Sequence, residues 1–179
     1  MAIEIRAATL DDAAGIAMVA VDTWRIAYRG IVPDEVLAGL SYERRAAQAL
    51  QQIQAAGSQQ FTLVAADEDG QVVGFASGGR ERSGEHGFRG ELYAIYVLAA
   101  FQGRGVGRRL AGRVAAELLA RGFNSMLLWV LADNQPSRRF YEALGGVPVA
   151  EQTIELGVAL PEVAYGWRDL APLAAEPAC

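Results

Sequence analysis

The chain has 179 residues, of which 52% are hydrophobic, and this content is enough to bury the core of one domain. Its formal net charge of −5 disfavours nucleic acid as a partner, because a surface that binds nucleic acid is normally basic. All 16 basic residues are arginine, which excludes Schiff-base chemistry through a lysine, and one cysteine and one histidine do not make a metal site. No stretch approaches the ~20 apolar residues of a membrane helix, so we expect a cytoplasmic protein with no membrane partner.

The first quarter of the chain predicts one strand followed by three helices. Residues 3–6 alternate apolar and polar side chains, which is typical of a half-buried strand. Thr9 and Asp12 have the spacing of a capping box, and the helix that follows carries apolar residues on one face. Pro33 predicts the start of a short second helix, and Ser41 predicts the N-cap of a third.

The middle of the chain predicts a hairpin, a loop and a further strand. Two β-rich runs, 61–65 and 72–76, flank an Asp-Gly turn and read as an antiparallel hairpin. Residues 77–89 are rich in glycine and charge, and we expect a loop there. Residues 91–97 form the next strand, which leads directly into a glycine-rich segment.

The second half predicts two helices and three strands. Val106, Leu110, Val114 and Leu118 form a helical stripe, and the continuous apolar run 125–130 is typical of a strand buried on both faces. A helix over about 135–144 and two further β-rich runs near 147–156 and 161–170 complete the pattern, and an Ala/Pro-rich tail over 171–179 is expected to be disordered. The order of elements predicts an α/β fold with a mixed sheet, helices on both faces and a right-handed parallel β-α-β crossover at its centre.

The glycine-rich segment is the strongest chemical signal in the sequence. Residues 102–107 read Gln-Gly-Arg-Gly-Val-Gly and lie where a helix begins. Glycines leave the backbone N–H groups open there, and the positive end of the helix dipole favours a bound pyrophosphate. Glycines at this spacing also mark ordinary helix starts and turns, so the segment alone is only suggestive.

A second motif makes the resemblance to a family specific. Residues 134–145 read Asn-Gln-Pro-Ser-Arg-Arg-Phe-Tyr-Glu-Ala-Leu-Gly. Together with 102–107, in this order of elements, they resemble the GCN5-related N-acetyltransferases (GNAT), whose loop reads Gln/Arg-x-x-Gly-x-Gly/Ala. The resemblance implies one acetyltransferase domain over residues 1–170, with a mostly antiparallel seven-stranded sheet and acetyl-CoA as the acetyl donor.

The resemblance also implies which residues hold the cofactor. In the family the strands that end here at Val97 and Val130 separate, and the pantetheine arm of coenzyme A pairs with the backbone that this frees. A carbonyl oxygen held by the Val97 N–H would then be stabilised as it becomes negative. The implied cofactor-binding residues are Tyr96, Val97, Gln102, Gly103, Arg104, Gly105, Val106, Gly107, Asn134, Ser137 and Tyr141.

Three residues are candidates for the acid–base chemistry. Tyr141 is the predicted general acid, since a phenol can donate a proton to a departing thiolate; its alternative is a core aromatic residue. Glu91 and Tyr93 lie two apart on one strand face, and either could accept a proton from the amine; Glu91 could equally be an exposed charge. Asn134 could bind the cofactor, cap a helix or do both.

The end of the first helix supplies the candidates for substrate binding. Trp24, Tyr28 and Arg29 lie in the region that often roofs the substrate pocket of the family, although Trp24 could simply pack on the core. The resemblance implies direct transfer of an acetyl group, in a ternary complex, to the primary amine of a small molecule. The alternatives are a protein N-terminal or lysine acetyltransferase and a non-catalytic domain that senses acyl-CoA; a homodimer is open in each case.

Overall fold

Seven strands form one sheet, and the computed structural model describes residues 2–175 of the chain. The strands are β1 (Glu4–Ala7), β2 (Gln60–Ala66), β3 (Val72–Arg80), β4 (Gly90–Val97), β5 (Met126–Leu131), β6 (Val147–Glu155) and β7 (Ala159–Trp167). Their order in the sheet is β1-β2-β3-β4-β5-β7-β6, and every neighbouring pair is antiparallel except β4 and β5. The predicted mixed, mostly antiparallel sheet with a central parallel crossover is confirmed.

Helices cover both faces of this sheet, as the sequence predicts. They are α1 (Ala13–Ala27), α2 (Asp34–Ala38), α3 (Tyr42–Gln54), α4 (Val106–Ala120), α5 (Gln135–Ala143) and α6 (Ala171–Ala174). Helices α1 and α3 pack on the face that carries Val64 and Phe75, whereas α4 and α5 pack on the face that carries Leu63 and Leu128. Side chains alternate along a strand, so the neighbours Leu63 and Val64 serve opposite cores.

Capping residues determine where several of these helices begin. The Ser41 hydroxyl accepts a hydrogen bond from the Arg44 N–H at 3.2 Å and starts α3. Asp12 accepts one from the Thr9 N–H at 2.7 Å, in a 3₁₀ turn that precedes α1. Both side chains accept hydrogen bonds from backbone N–H groups that a helix end leaves unpaired. This requirement explains why the capping residues could be recognised in the sequence.

Strand β4 pairs with β5 at only two positions. Gly90 lies opposite Met126 and Glu91 opposite Leu127, and beyond them the ladder ends. On its other side, β4 stays paired with β3 as far as Val97. The register of that pair shifts at Tyr93, which is the extra residue of a β-bulge. The two parallel strands therefore part toward their carboxyl ends, and one edge of β4 has no neighbouring strand.

Two parts of the chain differ from the expectation. Strand β3 continues to Arg80, where a loop from residue 77 was expected, because Gly78 and Gly79 pair with β4 despite their low strand propensity. The tail, expected to be disordered from residue 171, begins with α6, whose Leu173 is buried against the core shared with α4. The remainder of that expected tail, 176–179, lies outside the described residues.

Within residues 2–175, no helix is both long enough and apolar enough to cross a membrane.

Candidate active site

The glycine-rich turn joins the end of β4 to the start of α4. Gly103 and Gly105 have φ values of +70° and +80°, a left-handed conformation that favours glycine, and Gly105 is the N-cap of α4. The first N–H groups of a helix have no partner within it, so the turn offers backbone donors to an anion. The Gln102 side chain fixes the turn to β4, since its Nε2 donates to the Val97 carbonyl oxygen at 2.8 Å.

A cavity of about 300 Å³ occupies the gap between the diverging strands. We call it the β4–β5 slot; it is bounded by β4, β5, the start of α5 and the end of α1. Six of the predicted cofactor residues line it: Tyr96, Val97, Gln102, Asn134, Ser137 and Tyr141. The other five, Gly103, Arg104, Gly105, Val106 and Gly107, form the adjoining turn and the first residues of α4 and lie outside that lining. The Val106 side chain is buried in the core, so only its backbone is available to a ligand.

The free edge of β4 presents backbone donors to the slot. The Leu98 N–H donates to the Val73 carbonyl oxygen at 2.9 Å, toward β3. Because successive residues of a strand direct their N–H groups to opposite sides, the Val97 N–H faces the gap. Pairing with β5 ends at Glu91, so no strand takes that donor.

Tyr141 projects from α5 into the slot, and its side chain is only 9% exposed. Its ring packs on Phe140, yet its hydroxyl makes no hydrogen bond within residues 2–175. Burial raises the pKa of Tyr141 above its usual value, and the nearby Tyr96 adds to the rise. The hydroxyl therefore keeps its proton at neutral pH and is free to donate it.

Asn134 caps α5, and its position in the slot leaves open the second role that the sequence suggested, contact with the cofactor. Its side-chain oxygen accepts a hydrogen bond from the Ser137 N–H at 3.3 Å and caps α5. The residue is buried, and it also lines the β4–β5 slot. The capping function is thus present in the structure, and the position permits contact with a ligand.

A second cavity, of about 330 Å³, adjoins the slot, and we call it the central pocket. Residues from α1, β4, β5 and the β6–β7 hairpin line it. The two cavities share Tyr28, Leu92, Tyr93, Tyr96, Trp129 and Val130. Molecules bound in them would therefore meet at a common wall.

Glu91 and Arg82 form an ion pair beside the central pocket. Glu91 is 3% exposed, and Arg82 binds both its carboxylate oxygens, with Nε–Oε2 at 3.0 Å and Nη2–Oε1 at 2.5 Å. The Arg82 backbone N–H donates to the same carboxylate at 3.2 Å, and the side-chain hydrogen bonds to Glu91 raise the pKa of the Arg82 guanidinium. Sequence reasoning missed Arg82 because the segment 77–89 was expected to be a loop without a role.

Tyr93 lies on the same pocket wall as Glu91, as the spacing along the strand predicted. Its hydroxyl donates to the Arg80 carbonyl oxygen at 2.6 Å, and the Arg82 guanidinium lies 4.6 Å from the centre of its ring. Burial raises the pKa of Tyr93, and the charge of Glu91 adds to the rise. Burial and the charge of Glu91 keep the phenol in its neutral form, and its hydroxyl proton is donated in the hydrogen bond to the backbone.

The end of α1 brings two of the three predicted substrate residues to the pocket. Trp24 and Tyr28 pack edge to face with ring centres 4.7 Å apart, and both line the central pocket. Burial raises the pKa of Tyr28, and the nearby Tyr96 adds to the rise. Arg29 is exposed, its backbone forms an isolated β-bridge with Val32, and it lies outside the lining of the slot and the central pocket.

Glu162 is a second carboxylate of the central pocket that sequence reasoning missed. It lies on β7, and its Oε2 accepts a hydrogen bond from the Gln152 amide on β6 at 2.8 Å. Its Oε1 has no hydrogen-bond partner in the described part of the chain. A charged residue in a strand is a weak signal, and only the fold shows that this one lies across the pocket from α1.

Comparisons with known proteins agree with this geometry. The sequence model described as the acetyltransferase (GNAT) family matches residues 24–146. YuaI of Bacillus subtilis (strain 168), named an uncharacterized N-acetyltransferase, is 43% identical over 172 residues, which are 96% of each chain. The L-methionine sulfoximine/L-methionine sulfone acetyltransferase of Salmonella typhimurium (strain LT2) is 33% identical over 111 residues, which are 62% of this chain and 61% of that enzyme.

Solved structures show the same fold. The PaiA N-acetyltransferase of Thermoplasma acidophilum, solved in complex with coenzyme A, superposes with a TM-score of 0.74 at 21% identity. The superposition covers 91% of this chain and 98% of that one.

Proposed function

Because the chain belongs to the acetyltransferase (GNAT) family and is an acetyl-CoA-dependent N-acetyltransferase, we propose that its acceptor is the primary amine of a small amino acid. The observation that carries this proposal is the central pocket, whose volume of about 330 Å³ suits a small molecule. Trp24 and Tyr28 wall it on one side, and Ile154 and Leu156 of the β6–β7 hairpin wall it on another. An extended peptide would need an open groove instead.

The charges of the pocket suit an amino acid in its zwitterionic form. Glu91 and Glu162 attract an ammonium group, and Arg82 can bind a carboxylate. A relative with 33% identity is named for L-methionine sulfoximine and L-methionine sulfone, which are both amino acids. The charges of the pocket and the name of this relative both support an amino acid as the acceptor.

The residues of the slot and the turn fit acetyl-CoA. The backbone of the glycine-rich turn offers donors to the pyrophosphate, with Arg104 beside it, and the free edge of β4 offers donors and acceptors to the pantetheine arm. Asn134 and Ser137 line the opposite wall. When bound, acetyl-CoA supplies an acetyl group activated as a thioester.

Two groups of the slot would handle the charge that develops during transfer. The Val97 N–H is placed to donate to the carbonyl oxygen as it becomes negative, an effect worth about 3 kcal/mol. Tyr141 holds its proton on Oη and can give it to the departing sulfur, whose thiol has an ordinary pKa of about 8.5.

The acceptor amine must lose a proton before it attacks in the ternary complex, since an alkylamine has a pKa of about 10.4. Glu91, the base predicted from the sequence, has both oxygens bound to Arg82. Glu162 has one oxygen without a partner in the described residues. We therefore propose Glu162 as a second candidate for the base, reached directly or through water.

A thiol-release assay with acetyl-CoA tests the proposed acceptor. The panel compares free amino acids, the same amino acids with the carboxylate amidated, simple monoamines, and peptides with a free N-terminus or a lysine. We expect free amino acids to be acetylated fastest, because only they satisfy both the carboxylates and Arg82.

Peptides acetylated as fast as free amino acids would contradict the small acceptor. Binding of coenzyme A without thiol release from any amine would instead support a sensor domain.

Tyr141→Phe tests the proton donor. We expect turnover to fall by about 10²-fold or more, the usual range for loss of a general acid, while the rise in melting temperature caused by coenzyme A is preserved. Tyr42→Phe is the matched control: this tyrosine is exposed on α3 and lines neither the slot nor the central pocket, so turnover should stay close to that of the unmodified enzyme. Equal rates for Tyr141→Phe and the unmodified enzyme would remove Tyr141 from the chemistry.

Glu162→Gln and Glu91→Gln separate the two candidate bases through the pH dependence of turnover. Loss of the true base should lower kcat by about 10²-fold at neutral pH, and the deficit should shrink as pH rises toward the pKa of the amine, because the amine is then neutral on its own. A substitution that only disturbs the fold would lower kcat by the same factor at every pH. That outcome for both variants would exclude a carboxylate base.

A further inference from the structure

A third cavity, of about 250 Å³, lies between α1, α3 and the strands β3 and β4, and we call it the α3 pocket. It shares Trp24, Arg82, Tyr93 and Tyr96 with the central pocket. The two cavities are therefore neighbours, and an acceptor held in the central pocket has the α3 pocket beside it.

Basic side chains line the α3 pocket and no carboxylate of the described residues does, although the chain carries a net charge of −5. Two guanidinium groups, from Arg45 and Arg82, line it together with the side-chain amides of Gln48 and Gln52, and no carboxylate is part of its lining. In an acidic protein, such a concentration of donors suits an anion.

Arg45 is available to a ligand. Among residues 2–175, no carboxylate lies within 4 Å of its guanidinium. Its side chain rests 5.3 Å above the ring centre of Trp24, and its one hydrogen bond is a long one, to the Gln48 amide oxygen at 3.4 Å. Stacking on Trp24 fixes the position of the guanidinium while leaving its donors largely free.

The walls of the pocket are apolar up to that charged rim. Ile16, Ala17, Ala20 and Phe75 belong to the same lining as Arg45, so the cavity can hold an aliphatic stem that ends in a group bound by Arg45. Arg82 uses Nε and Nη2 on Glu91, and its Nη1 has no partner among the described residues.

We infer that the α3 pocket binds the side chain of the acceptor amino acid, and that this side chain ends in an anionic group held by Arg45. This inference rests on the proposed function. It assigns the amine and the α-carboxylate to the central pocket, near the carboxylates and Arg82. It assigns to α3 the selection of acceptors with a negatively charged end.

The test compares two acceptors that differ only in that end, glutamate and its side-chain amide glutamine, with the unmodified enzyme and with Arg45→Met. A hydrogen bond to a charged group contributes enough for roughly 10- to 100-fold discrimination, so we expect kcat/KM to favour glutamate by about that factor. In Arg45→Met, the stem of the side chain still covers Trp24, and the preference should disappear through a higher KM for glutamate. The kcat/KM for glutamine should fall much less than that for glutamate.

Arg44→Met is the matched control, since Arg44 is the preceding residue of α3 and its exposed guanidinium binds the Gly39 carbonyl oxygen. It should keep the preference. A binding measurement without turnover, the rise in melting temperature caused by glutamate in the presence of coenzyme A, should fall in Arg45→Met and not in Arg44→Met.

Equal kcat/KM for glutamate and glutamine in the unmodified enzyme would overturn the inference, and so would an equal loss for both acceptors in Arg45→Met. If amino acids are acetylated, but neither the preference for glutamate nor its loss in Arg45→Met is observed, the proposed function stands and only the role of the α3 pocket is refuted. If no amino acid in the panel is acetylated, the proposed function itself is refuted.

Discussion

The site depends on one break in the backbone ladder. Strands β4 and β5 pair through Gly90 and Glu91 and then separate, while β3 holds β4 in place on its other side. An unpaired strand edge inside a protein is costly, because its N–H and C=O groups lose water without gaining a partner. The edge can be kept because it faces the β4–β5 slot, a cavity of about 300 Å³ in which water or a ligand with its own amide groups can supply hydrogen-bond partners. The bulge at Tyr93 contributes to this geometry by changing the direction of β4 beside the gap.

Charges are arranged around the slot by the elements that enclose it. The glycine-rich turn has backbone donors and no carboxylate in its sequence, whereas the central pocket combines Glu91, Glu162 and Arg82. The buried Glu91 is tolerated because Arg82 satisfies both its oxygens, and the more exposed guanidinium keeps contact with water. The pair thus places a fixed dipole at the pocket wall rather than a bare charge.

The fold was predictable from the sequence because its signals are local, and so were the turn and the slot that we propose hold acetyl-CoA. The turn at 102–107 and the Asn134 cap depend on residues close in the chain, and so do the helical stripes that pack on the sheet.

The rest of the site depends on contacts between distant elements. Because the end of β3 is rich in glycine, it was expected to be a loop, and Arg82 just beyond it was missed. Nothing in the sequence near Glu162 shows that this residue of β7 lies across the central pocket from α1. Nothing in the sequence singled out Arg45, and only the packing of α3 on the sheet shows that it lines a cavity. Arg29, by contrast, was a candidate because it lies in the region that often roofs the substrate pocket of the family, and in the structure its side chain is exposed.

The most direct test of the central claim is the hydrogen exchange of two neighbouring amides, with and without acetyl-CoA. The Leu98 N–H is already bonded to β3, so its exchange should be slow and change little, whereas the Val97 N–H faces the slot and should exchange faster. Saturating acetyl-CoA should slow the Val97 amide by about tenfold or more as it gains a partner. A Val97 amide that is as protected as Leu98 without ligand, or that acetyl-CoA leaves unchanged, would contradict the account.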